Sequence, residues 1–549
     1  MRPTDADFRA AIRAHGGRVE RYLRGEISGP EFVPIRLGYG LYYQLDHTSH
    51  MQRIKLPGGI LTAAQADCLA AIADDYGRGV IHVTTRQDVQ MHWIPLDRVI
   101  DMYERLHEVG ITTRGACSDS IRNVTACYHA GTLPDEPFDI TPYCYAVHEY
   151  SLFHPLNLTL PRKFKIGFSS CSDDCVQNRV NDVAYFPKAQ GGRIGFRVFA
   201  GGGLGSQPFL AIPIWDFVPA DDLLLATEAI VRVQHRLGER KNRKKNRMKF
   251  LVKKLGAEVF TRELAAELAR VEAECGDALR TELWDIVGTF SMPAPIHSPA
   301  ALDPTSDPAF AHWQRTNVWA QKQSGYYGVT VQLPLGDCTA DQLRAIANLA
   351  RLHGSGMLRT SNDQNLYLPW IPGNRVGSVF EGLTHIRLAG PDALHITDVT
   401  SCPGADYCSL AVSRSMGMAA AIRKRLLEQD GHVEDLGVFR IKISGCPNSC
   451  GQHHVADIGL TGLSLKGHDG RDATHYSILV GGSVGEDDAA VGQRLAGRFP
   501  EGEIPGVISA LAEYYRTRRQ SGERFPTFVH RVGVGELSDV ARAATGTMS

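Results

Sequence analysis

Apolar and polar residues alternate along "HMQRIKLP" from His50, the pattern of a half-buried strand. Thr62 then precedes "AAQADCLAAIADDY", whose apolar positions face one side of a helix capped by the Thr62 hydroxyl. A glycine turn and a second strand, "GVIHVTTR", come next, and a helical stretch runs from near Asp97 to Val109. The same order returns at "GVTVQLP", with Thr339 in the capping position and "GMLRTSN" as second strand. Laid over one another from Leu56 and Leu333, the two blocks align without a gap at a constant shift of 277. Gly59/Gly336, Thr62/Thr339, Gln65/Gln342 and Gln87/Gln364 coincide, and Trp93-Ile94-Pro95 returns as Trp370-Ile371-Pro372.

The echo continues at slightly different shifts. "NVTAC" ending at Cys127 answers "DVTSC" ending at Cys402, "SSCSDDC" answers "SGCPNSC", and "FRVFAGGGLG" answers "YSILVGGSVG". The expectation is an α+β chain with pseudo-twofold duplication. It divides into an N-terminal segment (1–35), a ferredoxin-like half (36–115), a first lobe (116–295), a linker (296–315), a second ferredoxin-like half (316–390) and a second lobe (391–549). The linker falls in the Pro/Ser-rich "SMPAPIHSPAALDPTSDPAF".

A chain of 549 residues has room for three or four domains of ~150 residues. At 43% hydrophobic and 22% charged it reads as globular, and a net charge of −1 offers no general attraction for nucleic acid. No apolar run reaches the length of a membrane helix, and "MRPTDADFRAAIRAHGG" lacks the apolar core of an export signal, so a cytoplasmic location is expected. The twelve cysteines therefore point to metal or redox work rather than disulfides.

Four of them carry the strongest pattern. Cys402 and Cys408 are spaced C-x₅-C in "SCPGADYC", and Cys446 and Cys450 are spaced C-x₃-C in "GCPNSCG". Four thiolates suit tetrahedral zinc, and His453 and His454 offer a mixed zinc set. Structural zinc usually takes tighter C-x₂-C pairs, and the prolines and glycines here bring backbone amides toward sulfur, as iron–sulfur clusters require. From spacing alone both readings stand.

These two motifs, together with the duplication over nearly the whole chain, resemble the siroheme-dependent nitrite/sulfite reductases, with the single-chain assimilatory sulfite-reducing type as the nearer likeness. The resemblance implies a [4Fe–4S] cluster on Cys402, Cys408, Cys446 and Cys450, with the sulfur of Cys450 shared with the siroheme iron. The two lobes then bind siroheme and cluster. In the first half, Cys127, Cys171 and Cys175 match three of the four positions, but Leu133 stands where the fourth should be, so a single cluster is expected.

The resemblance also places an anion site on the first half: Arg86 in "TTRQ", Arg122 in "RNV", and Lys163 and Lys165 in "RKFK". Arginine forks suit oxyanion oxygens, and lysine ammoniums deliver protons. Siroheme bears eight carboxylates and needs a cationic, donor-rich pocket. The residues expected to contribute are Gln87, Gln90 and His92 at strand spacing, Gly201, Gly202 and Gly203, and Arg243, Arg247 and Lys249. The last three lie within "RKNRKKNRMKFLVKK", nine Lys/Arg in fifteen residues and expected to be helical. Asn181 and Asp182 are expected to order the lysine loop.

Nitrite-reducing relatives tend to carry Asn at the second lysine of the K-x-K pair, so Lys163 and Lys165 point to sulfite, reduced by six electrons to sulfide. Nitrite reduced to ammonia is the alternative, as is a siroheme protein without turnover. No flavin or nicotinamide signature is present, so an external donor is implied: a ferredoxin or a diflavin NADPH-dependent reductase subunit. No nucleic-acid or membrane partner is expected.

Overall fold

The computed structural model describes residues 3–428, 434–466 and 472–545. Four sheets order the chain, two for each repeat: the ferredoxin-like sheets are antiparallel throughout and the lobe sheets are mixed. In the first ferredoxin-like half, strands Leu41–Tyr43, His50–Ile54, Val89–Ile94 and Val80–Val83 lie side by side, with helices Ala63–Tyr76 and Val99–Glu108 among them in sequence. The second half repeats this with Val318–Ala320, Tyr326–Val331, Leu366–Pro372 and Met357–Thr360. Both capping boxes form as the pattern implies: Gln65 N–H donates to the Thr62 hydroxyl and Gln342 N–H to that of Thr339.

The fifth strand of each sheet comes from the other half. Ile60–Thr62 pairs with Met357–Thr360, and Asp337–Thr339 pairs with Val80–Val83. The three residues before each helix are thus short swapped strands. Gln87 and Gln364 complete the exchange. Gln87 Nε2 donates to the carbonyls of Thr360 and Ala126, while Gln364 Nε2 donates to Val83 and Gln364 Oε1 accepts from Ser401 N–H. The two halves share one core, in which Leu61, Ile81, Val83, Leu358, Leu366 and Leu368 are buried.

Each lobe has its own core and its own five- or six-stranded sheet. In the first, Thr125–Ala126, Ile166–Phe168 and Val183–Gln190 run parallel; in the second, Thr400–Ser401, Ile441–Ser444 and Ile458–Lys466 do the same. Register places Ile166 opposite Val183 and Ile441 opposite Ile458, the same pairing 275 residues on. Val180 and Leu204 meet Val455 and Val484 in a small apolar cluster where the lobes touch.

Two expectations need correction. The basic run is not one helix: only Met248–Leu255 is helical, and Arg247 before it is extended. A row of like charges repels along a helix face, and the Glu239 carboxylate accepts instead from the N–H groups of Lys241 and Asn242 in a turn. The linker, too, is not all irregular, because the Asp307 side chain caps a helix at Pro308–Asn317. No helix among the described residues is long and apolar enough to cross a membrane.

Candidate active site

The four cysteines of the second lobe gather around the C-terminal ends of its parallel strands. Cys402 follows Thr400–Ser401, and Cys446 and Cys450 lie in the turn after Ile441–Ser444. Gly445 N–H points at Cys402 Sγ at 3.2 Å, and the Ser415 hydroxyl lies 3.3 Å from the same sulfur. Backbone N–H groups of Gly404 and Asn448 also serve Cys402 and Cys446. Burial, and then the nearby Cys450, push the Cys402 thiol up to about 11. Burial likewise raises the Cys446 thiol, with Cys450 and Cys408 adding to the rise, so the four sulfurs share one neighbourhood met by backbone donors. The donor set fits a [4Fe–4S] cluster. His453 and His454 do not join it: His453 shares a hydrogen bond with the Ser444 hydroxyl, and His454 reaches the Gly205 carbonyl of the other lobe.

Cys450 is exposed on the face that meets the first half. Thr85 donates its hydroxyl proton to the Cys450 carbonyl at 2.8 Å, and Gln452 Nε2 donates to the Thr85 carbonyl at 3.2 Å. The turn holding Arg86 is therefore fastened to the last cluster cysteine. Arg86 Nη1 donates to Asn181 Oδ1 at 2.8 Å and Nη2 to the Asn123 carbonyl at 2.7 Å, while its Nε, though buried, has no partner. Asp182 takes the Lys165 N–H at 2.8 Å and a two-pronged ion pair from Arg247, at 2.8 and 3.1 Å. Asp182 thus holds the lysine segment, whereas the Asn181 side chain, expected to do the same, is bonded to Arg86 and Asn178.

The four expected cations come together. Desolvation, then Arg247 and Arg122, lower the Lys163 ammonium to about 7, with Cys450 acting in the opposite sense. Lys165 is held well below its ordinary value by desolvation, then by Arg86 and Lys163. Desolvation and, less strongly, Arg122 bring Arg86 down to about 10 against the support of Asp88. Such mutual repulsion is relieved only by an anion. Arg122 itself is held by the carbonyls of Ser118 and Ala116.

The remaining expected residues are placed more variously. Gln87 lies in a turn with φ +59° rather than on a strand, and its amide is spent on Ala126 and Thr360. Gln90, with its amide oxygen turned to Arg53, accepts from that guanidinium at 2.6 Å. His92 packs its ring 4.4 Å from Tyr407, beside Cys408. Gly201 and Gly203 spend their N–H groups on the carbonyls of Asp182 and Phe209. A Cβ on Gly203 would stand 2.9 Å from the Arg247 guanidinium, so glycine here admits the arginine. Lys249 donates to the Leu204 and Gln207 carbonyls. Arg243 sits apart: its side chain is 64% exposed and pairs with Asp119 at the rim.

Sequence reasoning missed Arg53 and Lys55. Lys55 is buried, and its ammonium has no hydrogen-bond partner. Burial lowers it to about 8 while Asp88 supports its charge. The signal lay in "QRIKLP", a strand with two cations where it enters the core. The orphaned donors of Lys55 and Arg86, beside Arg122, Lys163 and Lys165, fit a group rich in carboxylates such as siroheme.

Known families match this arrangement. The model of the nitrite and sulphite reductase 4Fe-4S domain matches residues 117–271 and 394–547, and that of the nitrite/sulfite reductase ferredoxin-like half domain matches 43–109 and 319–386. The chain is 30% identical to the chloroplastic ferredoxin–nitrite reductase of Arabidopsis thaliana, over 85% of this chain and 76% of that one. It is 29% identical to the assimilatory ferredoxin-dependent nitrite reductase of Haloferax mediterranei, over 89% and 83%. The solved structure of the Mycobacterium tuberculosis NirA protein superposes with a TM-score of 0.76 at 26% identity, covering 93% of this chain and 92% of that one. The chain belongs to the nitrite/sulfite reductase family of oxidoreductases, whose cofactors are siroheme and a [4Fe–4S] cluster.

Proposed function

We propose that this chain reduces nitrite to ammonia with six electrons taken from a ferredoxin. The observation that carries the reductase reading is the apposition of Lys163 and Cys450 across the two halves: proton-bearing cations lie opposite the cysteine that joins the electron path. The nitrite and ferredoxin assignments are supported by the names of the Arabidopsis and Haloferax relatives. When bound, siroheme and cluster supply the electrons. The chain's own residues supply the rest. Arg122 and Arg86 present fixed guanidinium forks to an oxyanion. Lys163, lowered to about 7, holds a proton it can release near neutral pH as oxygen leaves as water.

A second reading, sulfite to sulfide, is favoured by Lys165. Two ammoniums and two guanidiniums suit a doubly charged anion better than a singly charged one. The test is steady-state turnover of the siroheme-loaded protein with a reduced viologen, comparing kcat/KM for the two anions. Higher kcat/KM for nitrite, with ammonia as product, supports the first reading; higher kcat/KM for sulfite, with sulfide, puts the second in its place. Turnover of neither by protein showing the siroheme spectrum overturns both.

A further inference from the structure

Cys127, Cys171 and Cys175 stand in the first lobe where Cys402, Cys446 and Cys450 stand in the second, and the reduction reaction uses none of them. Their geometry differs from that of the cluster set. Cys127 Sγ and Cys175 Sγ are in contact at 3.1 Å, which leaves no room for a metal cluster between them. Cys127 is buried, whereas Cys171 and Cys175 are partly open. From a contact of 3.1 Å, closing an S–S bond draws the sulfurs together by only about 1 Å.

We infer that Cys127 and Cys175 form a dithiol that a small peroxide oxidises to an intramolecular disulfide. The balance is complete with hydrogen peroxide as oxidant. One sulfur attacks the peroxide, breaking the O–O bond to give a sulfenic acid and hydroxide. The second sulfur then displaces hydroxide from the first, the S–S bond forms, and the two thiol protons leave in two waters. Two electrons pass from the sulfurs to the peroxide. Polarity favours Cys127 as the first attacker. Although burial works to raise it, the hydrogen bond from Cys175 and that from the His129 N–H bring its thiol below the ordinary value. Cys175 keeps its proton, raised well above its usual range by that same bond and by burial.

The bond would join residues 48 positions apart and fasten the 171–176 turn to its own sheet. That turn also meets both neighbouring parts of the molecule. Asn362 Nδ2 donates to the Val176 carbonyl at 2.8 Å, and Glu486 N–H donates to the Ser172 carbonyl at 2.8 Å.

The experiment treats the holoenzyme with hydrogen peroxide, blocks free thiols by alkylation and maps peptides without reduction. The expected result is one linked peptide pair joining Cys127 to Cys175, two hydrogens lighter than the separate peptides and split again by dithiothreitol. It persists in Cys171→Ser and is absent from Cys127→Ser and Cys175→Ser. Because Cys175 is partly open, its variant answers the question even where Cys127→Ser does not fold. Recovery of both Cys127 and Cys175 as alkylated peptides from the treated wild type overturns the inference, as does a link from Cys171 to either.

Discussion

The two halves of this chain are built alike, yet they treat charge in opposite ways at the same place in the fold. In the first, the residue before the cross-half glutamine is Arg86; in the second it is Asp363. Lys165 N–H donates to Asp182 in one lobe, and Arg440 N–H donates to Asp457 in the other. Around Lys165 stand Arg86, Lys163 and Arg247, cations that repel it. Around Arg440 stand Asp363 and Asp457, with the Tyr128 ring nearby. Lys442, wholly buried, forms an ion pair with Asp363 at 2.7 Å. The second pocket is neutralised from within and filled by its own side chains. The first leaves its cations crowded and undercompensated, which stabilises nothing until an anion arrives. Duplication supplied two equal frames, and a charge reversal at Arg86/Asp363, with Lys442 added beside Asp363, set the site apart from the wall.

Four measurements sharpen or break this contrast. The largest effect is expected at the two equivalent cysteines. Cys450→Ser should abolish turnover and remove the siroheme absorption, while Cys175→Ser should leave both intact; loss of the spectrum in both variants would mean that the halves are not divided in this way. Next come Lys165 and Arg440. Lys165→Met should lower kcat/KM about 100-fold at little cost in stability, the range expected for losing a positioned proton donor. Arg440→Met should leave kcat/KM near wild type but cost about 3–5 kcal/mol in denaturant unfolding, because it strands buried carboxylates.

The third concerns pH. Because Lys163 is lowered to about 7, its ammonium is present below that value and lost above it, so kcat/KM should fall as pH rises from neutral. Carboxylates of a bound cofactor move the midpoint upward. Lys163→Met should lower the profile and remove this limb, and an unchanged alkaline limb would assign it elsewhere. The smallest effect belongs to Arg243→Gln. An exposed pair such as Arg243–Asp119 is worth about 0–1 kcal/mol, so siroheme content should match wild type. A large loss of cofactor would return Arg243 to the pocket, where the sequence had placed it.

How much of this was legible beforehand differs by residue. The caps at Thr62 and Thr339 and the four cluster cysteines depend on near neighbours in the chain, and those were readable. Gln87 was not. Its spacing from Arg86 suggested a strand face, but its partners are 39 and 273 residues away. The basic run misled for a related reason, since helix propensity was overruled by repulsion and by a local Glu239 turn. Lys55 looked like any strand lysine until the first lobe closed over it.

The sequence by itself determined the duplication and the ferredoxin-like pattern of each half, which are written in periodicity. The cluster assignment and the four cations were named through the resemblance to a known family, carried by the C-x₅-C and C-x₃-C spacings. Only the tertiary structure decided that each half completes the other's sheet, that Cys450 faces Lys163, that Asp363 closes the second pocket, and that Cys127 touches Cys175. Those facts rest on burial and on contacts between residues far apart in the chain, where desolvation and Coulomb forces act only after folding has brought the groups together.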